Sequence, residues 1–168
     1  MLLSEMNRRI LPIMYGLFIK YLYRYNESFT DIRRELKLRG KNFGEEILYS
    51  TFPKELMKLK APLKDGTIKN LIKVLWKEIF ASSPKISGNK GLFKIRDFQC
   101  VICDTLASEK GEGVLCDFVV GIVEEVFSLV YEELIDTQGW RVNCVETHCR
   151  ALNGEFCEYE LRILEKMH

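Results

Sequence analysis

Cysteine is missing from the first 99 residues of this 168-residue chain. All six thiols, Cys100, Cys103, Cys116, Cys144, Cys149 and Cys157, lie beyond that point. A disulfide-stapled secreted scaffold spreads its cysteines along its whole length, so this clustering argues against one and for a local role. Charge of one sign is also lacking. Lys and Arg total 25 against 24 acidic residues, a net +1, which leaves no broad field to attract nucleic acid or an anionic membrane. Long hydrophobic runs are absent too. The apolar stretch Ile10–Ile19 falls well short of the ~20 residues a membrane helix needs. Arg8 and Arg9 before it resemble the start of a signal peptide, but the following "KYLYRYNESF" offers no small-x-small cleavage site. The stretch therefore reads as a buried helix of a cytoplasmic protein with reduced thiols. Histidine is scarce: His148 and His168 are the only two. Neither a phosphate-cradling glycine loop nor a dinucleotide fingerprint occurs.

What is present suits a single domain over residues 1–168. Hydrophobic residues make up 47% and aromatics 11%, enough for one sizeable core. Residues 2–25 carry two adjacent apolar stripes. Leu3, Met6, Ile10, Ile13, Leu17 and Tyr21 form one; Leu11, Met14, Phe18 and Leu22 form the other. Two stripes exceed what one intramolecular face requires. Residues 1–27 therefore read as a dimerisation helix, with Leu11, Met14, Phe18 and Leu22 at a homodimer contact and Pro12 marking a bend or a start. A second helix is expected over 42–58, with Asn42 as N-cap and Glu45 as its capping-box partner. A third follows Thr67, with Ile68, Leu71, Ile72, Leu75 and Ile79 on one face.

The period then changes from helical to alternating. "KISGNKGLFKIRDFQCVIC" predicts a hairpin turning at Gly88 to Gly91, with Phe93 and Ile95 on the face opposite Leu92, Lys94 and Arg96. "CDFVVGIVEEVFSLVYEELIDTQG" predicts one long helix ending at Gly139, with a narrow polar stripe that includes Glu124 and Glu125. The tail predicts a second hairpin. Trp140, Val142, Cys144 and Glu146 share one face of its first strand. Cys157, Tyr159, Leu161 and Ile163 form the apolar face of the second, and Glu158, Glu160 and Arg162 face water. Helices, hairpin, helix, hairpin is an α+β order with an antiparallel sheet.

Cys157 and Glu146 thus both point inward, Cys149 sits at the turn between them, and Cys116 opens a helix where the dipole favours a thiolate. An ionised carboxylate on an inner sheet face is costly unless paired or bound to a cation. Three thiolates and one carboxylate complete a tetrahedral shell for zinc. Spacing alone leaves two other readings open: ordinary buried thiols and a disulfide. Cys144, which points the same way, rivals Glu146. Cys100 and Cys103 form a Cys-x2-Cys pair, which can be half a zinc site, but they read better as buried or spare thiols.

"GVLCDFVVGIVEEV" followed by "VETHCRALNGEFCEYEL" resembles the 4-vinyl reductase domain family, in its helix start with Cys116 and Gly121, then Glu146 and Cys149, then Gly154, Cys157 and Tyr159. "RGKNFGEEIL" is similar to the family's upstream glycine helix. The resemblance covers most of residues 28–165. It implies a fold like that of TRAPP vesicle-tethering subunits, with helices on a twisted four-stranded antiparallel sheet and a dimer made through N-terminal helices. It also implies a structural zinc on Cys116, Glu146, Cys149 and Cys157 beside a pocket for a small aromatic molecule, as in phenol-sensing activators. Trp76, Phe98, Phe118, Tyr131 and Trp140 are the aromatics that can wall such a pocket. The expectation is a non-catalytic, zinc-containing sensor or regulatory domain binding a small apolar or aromatic molecule, with no nucleic-acid or membrane partner. The alternatives are an assembly protein like the tethering subunits, or an accessory factor to a tetrapyrrole-type reductase.

Overall fold

Ser28 closes the start of the first long helix. Its Oγ accepts the Asp31 backbone N–H at 3.1 Å and donates to the Asp31 carboxylate at 2.5 Å, the reciprocal arrangement of a capped N-terminus. From there α1 runs over Phe29–Ser50 and buries Ile32, Leu36, Ile47 and Leu48. The coordinates are a computed structural model that describes residues 16–18, 20–22, 24–25, 28–50, 65–100, 102–103, 116–152 and 154–165. The sequence places the start of this helix at Asn42, but Asn42 lies exposed inside α1. Gly40 and Gly44, disfavoured in a helix by propensity, sit on the buried side of an unbroken helix, where a partner helix crosses. Pro53 lies outside the described residues.

Helix α2, Asp65–Leu75, begins ahead of the expected cap Thr67 and buries Ile68, Leu71, Ile72 and Leu75. It continues as a π-helical turn, Trp76–Phe80, and stops at Ala81, which adopts a left-handed conformation with φ 50°. Strands β1 (Lys85–Asn89) and β2 (Leu92–Asp97) follow. Lys90 (φ 50°) and Gly91 (φ 79°) join them, and two positive φ values in a two-residue loop match the twist of a hairpin. Phe93 and Ile95 are fully buried and their neighbours exposed, as the alternation predicts.

Helix α3, Asp117–Val130, is followed by α4, Glu132–Gln138. The sequence predicts one helix here. The chain instead departs from helical geometry at Tyr131 (φ −109°), although the Tyr131 and Ile135 amides still donate to the Phe127 and Tyr131 carbonyls at 3.1 and 3.0 Å. Gly139 (φ 67°) is the stop that the sequence identifies. Strand β3 (Arg141–His148), a 3-10 turn (Arg150–Leu152) and β4 (Cys157–Leu164) complete the chain.

The sheet is antiparallel throughout, in the order β1-β2-β4-β3. Its inner face presents Phe93, Ile95, Cys144, Tyr159, Leu161 and Ile163. Helices α1 and α3 cross at almost backbone distance. A Cβ on Gly40 would overlap the Phe118 carbonyl, and one on Gly121 would overlap the Lys37 carbonyl and lie 3.0 Å from the Gly40 Cα. Only glycine permits that approach.

Two acidic residues expected in water are buried. Glu124 is 8% exposed because α1 covers it. Lys37 and Lys41 each place an ammonium 2.8 Å from its carboxylate, and the Cys144 backbone N–H donates to it at 3.2 Å. Burial alone would raise its pKa, but the two lysines hold it below the ordinary carboxylate value. Glu158, on the outer sheet face, is 3% exposed because its own partners cover it: Arg96 at 2.5 Å, Thr147 at 3.0 Å and His148 at 3.8 Å.

Candidate metal centre

Three separate parts of the chain deliver thiols to one point. The segment after β2 brings Cys100 and Cys103. The residue preceding α3 brings Cys116. The β3–β4 connection brings Cys149 and Cys157. All five are buried, and all six cysteines of the chain are free thiols.

Each arm is held in place locally. Asp117, in the first turn of α3, takes two hydrogen bonds from the Arg33 guanidinium of α1, at 2.8 and 3.1 Å, and this fixes the helix start that carries Cys116. The β3–β4 register slips between Glu146 and His148, and the 3-10 turn then folds the chain back. Gly154 closes this turn: a Cβ there would lie 3.0 Å from the Cys149 carbonyl and 3.4 Å from the Arg150 Cα. The Arg150 backbone N–H donates to Cys157 Sγ at 3.3 Å. On the β2 side, Asp97 is buried and receives hydrogen bonds from Trp76 Nε1 (3.1 Å), Ser82 Oγ (3.0 Å) and the Gln99 amide (2.9 Å), which sets the direction in which the chain leaves the strand toward Cys100.

Cys116, Glu146, Cys149 and Cys157 offer donor atoms that all lie within 4.8 Å of one another. The four residues that the sequence singles out therefore do come together. A second group, Cys100, Cys103, Cys116 and Cys157, meets the same condition. Cys116 and Cys157 are common to both, with their sulfurs 3.9 Å apart. Cys144 is fully buried but belongs to neither group; its backbone instead serves Glu124. His148 is an exposed residue in ring contact with Phe156, 6.1 Å between centroids, and joins neither group.

The electrostatics fit a cation. Glu146 Oε1 is buried with no hydrogen-bond partner. Burial, followed by the charge of Cys149, pushes its carboxyl up to about 9. Hydrogen bonding with Cys100 first, then with the other thiols and with burial added, holds the Cys116 thiol well above its ordinary value, and Cys100, Cys149 and burial push the Cys157 thiol up against the opposing effect of Cys103 and Cys116. Without a positive charge these sulfurs cannot all ionise; a divalent ion reverses that balance and deprotonates its ligands. An orphaned acid oxygen beside a nest of buried soft donors is the donor chemistry of a zinc-type ion. Four protein ligands would fill a tetrahedral shell and leave no open position for a substrate.

The other expected site residues are dispersed. Trp76 is buried between Phe80 and Tyr159, with ring centroids 5.2 and 5.7 Å away. Phe118 packs on Phe43, and Tyr131 stacks on Phe127. Phe98 is exposed beside Phe156, with the Lys85 ammonium 4.9 Å from its centroid. Trp140 lines a groove of about 310 Å³ with Asp65, Ile68, Lys90, Gly91, Ile163, Leu164 and Glu165. Each of the five rings thus engages a different neighbour. Of the expected dimer contact, Leu11 and Met14 lie outside the described residues. Leu22 is buried in the chain's own core and Phe18 packs against that core. The outward stripe of this helical segment is Leu17, Tyr21 and Tyr25, each more than half exposed. Leu22 is thus covered by its own protomer, whereas Phe18 is only half-buried against that core.

No protein-family model and no curated protein matches the chain. Solved structures do. A trafficking protein particle complex subunit 3 from Naegleria fowleri, covalently bound to palmitic acid, superposes with a TM-score of 0.72 at 16% identity, covering 98% of this chain and 99% of that one. The phenol-responsive sensory domain of the transcription activator PoxR, solved with phenol, superposes with a TM-score of 0.60 at 12% identity, covering 90% of this chain and 73% of that one. At these identities the likeness is one of fold, and the fold is that of a TRAPP subunit.

Proposed function

We propose that this chain is a non-catalytic regulatory or sensor domain of the 4-vinyl reductase type, built around one structural zinc ion and acting as a dimer. The observation that carries the reading is the convergence of buried thiols and an orphaned carboxylate oxygen from three chain segments. Cys116, Cys149 and Cys157 hold the ion, with Glu146 the acid at the same point. The ion ties the start of α3 to the β3–β4 connection. The only histidine among the described residues lies outside the cluster, which supports a structural role over a catalytic one. The two structures described above were solved with palmitic acid and with phenol. This supports a small apolar ligand here, and the groove walled by Trp140 and Ile163 is a candidate place for it.

The exposed stripe Leu17, Tyr21 and Tyr25 favours a second reading, an assembly protein whose partners cover that face. In the sensor reading the same stripe forms the contact between protomers. Elemental analysis together with native mass spectrometry of the protein as purified tests the proposal. One zinc per chain and a retained small molecule are expected for the sensor. One zinc with a dry protein favours the assembly role. No metal, with all six thiols freely titratable in the folded state, overturns the metal reading.

A further inference from the structure

Cys103, which the sequence leaves as a spare thiol, is the most central sulfur of the cluster. Its Sγ lies 3.5 Å from Cys116, 3.6 Å from Cys149 and 3.3 Å from Cys157. Cys116 and Cys157 are 3.9 Å apart, and the two remaining separations, from Cys149 to Cys116 and to Cys157, are within 4.8 Å. An ion bound tetrahedrally at about 2.3 Å from each sulfur sets neighbouring sulfurs about 3.8 Å apart. Four of the edges, 3.3, 3.5, 3.6 and 3.9 Å, fall on both sides of that value. The same separations are too short for an iron–sulfur cluster, where iron and sulfide ions stand between the cysteine ligands and spread them.

We propose that the ion is held by four thiolates, Cys103, Cys116, Cys149 and Cys157, and that Glu146 stands beside the ligand sphere rather than in it. The proposal rests on the metal reading above and changes its fourth ligand. The separations favour Cys103, which lies within 3.6 Å of all three shared sulfurs, the spacing of a compact sulfur shell. Softness points the same way, since a set of four sulfurs suits zinc in a closed structural site. Cys100 lies 3.8 Å from Cys116 Sγ and 3.8 Å from the Tyr159 hydroxyl. It groups with Cys103, Cys116 and Cys157 and in this assignment is a fifth thiol outside the shell. The consequence is architectural: the ion joins the exit of β2 to the C-terminal hairpin and α3, so three segments rather than two depend on it.

X-ray absorption at the zinc edge of the wild-type protein reads the shell without any substitution. Four sulfur scatterers at about 2.3 Å are expected. Three sulfurs and one oxygen overturn the four-thiolate shell while leaving the metal reading intact; a protein without metal overturns both. Cobalt-substituted variants assign the ligands. Glu146→Gln and Cys100→Ser should keep one ion and the visible spectrum of a four-thiolate site. Cys103→Ser should lose the ion or move the ligand-field bands. A Cys103→Ser protein with an unchanged spectrum, or a Glu146→Gln protein with an altered one, overturns the assignment.

Discussion

Replacing Gly121 by alanine tests whether the α1–α3 crossing positions the proposed metal centre. In isolation the change favours the helix, since glycine costs about 1 kcal/mol relative to alanine in a helix interior. In this position the added methyl would overlap the Lys37 carbonyl and lie 2.9 Å from the Lys41 amide and 3.0 Å from the Gly40 Cα. Ordinary contact begins near 3.4 Å, and the obstructing atoms are backbone, so the helices must separate. Overpacking of that kind costs about 1–3 kcal/mol, sometimes more, and here the rigid obstruction points to the upper end. Against a propensity gain of about 1, the net loss is about 2 kcal/mol. At about 2–4 °C per kcal/mol for a chain of this size, that is a fall in melting temperature of about 4–8 °C. Because α3 carries Cys116 at its start and contacts β3, the separation should also reach the metal. A chelator should strip the variant faster than the wild type. Gly66→Ala, in the first turn of α2 with no atom within 4 Å of the new methyl, is the control and should melt at or slightly above the wild type. Circular dichroism melts with parallel zinc-release assays read both effects. A Gly121→Ala protein that melts as high as wild type and retains its metal refutes the reasoning about the crossing.

Cys149→Ser should lower the melting temperature and release the ion, while His148→Ala, an exposed ring outside the cluster, should do neither; the opposite ranking in melts and metal content would make the site chemical rather than structural. Glu124→Gln should destabilise the fold at neutral pH by about 1–3 kcal/mol, since it leaves Lys37 and Lys41 facing a buried amide. The depressed pKa of Glu124 stabilises the fold above the ordinary carboxylate range and ceases to do so as pH falls through its folded value. Denaturant melts against pH should therefore show the wild-type advantage over Glu124→Gln vanish in acid, and an advantage independent of pH would refute the pairing. Tyr21→Asp, on the exposed stripe, should give a monomer in sedimentation with an unchanged melting temperature, and a wild type that sediments as a monomer at high concentration refutes the dimer.

The parts of this fold that were legible in the sequence are those where local chemistry and tertiary context agree. The hairpin at Lys90–Gly91 follows from alternation and from a residue that tolerates positive φ. The stop at Gly139 follows from the same freedom, and the inward set of Cys157, Tyr159, Leu161 and Ile163 from a period of two. The misreadings arise where context overrides a local signal. Gly40 and Gly44 break helices by propensity, yet they sit inside α1 because α3 needs backbone-close packing at that point. Glu124 belongs to a polar stripe by composition but lies under α1, where Lys37 and Lys41 neutralise it. No pattern within α3 reveals those lysines, which come from a different helix. Leu22 shows the same limit: two apolar stripes were visible, but which one faces the protomer's own core depends on where the rest of the chain lies.

The metal centre divides along the same line. Cys116, Glu146, Cys149 and Cys157 were legible because a helix start and a strand-turn-strand fix their directions from local geometry alone. Cys103 was not, because it follows β2 by a short non-repetitive link, and alternation says nothing about where such a link turns. One signal did exist: Asp97. An aspartate at an inward position of a strand must find partners. Trp76, Ser82 and the Gln99 amide supply them and bend the chain as it leaves the sheet. That bend carries Cys100 and Cys103 back toward the start of α3 instead of away from it. Asp97 is thus a positioning residue, one layer removed from the thiols it orients. The same inward-acid logic that pointed to Glu146 as a candidate ligand applies to Asp97, but the outcome is opposite. Asp97 is satisfied by hydrogen bonds and shapes the backbone, whereas Glu146 keeps an unpartnered oxygen against the sulfurs. A buried carboxylate in a sequence therefore marks a site only once its hydrogen bonds have been counted.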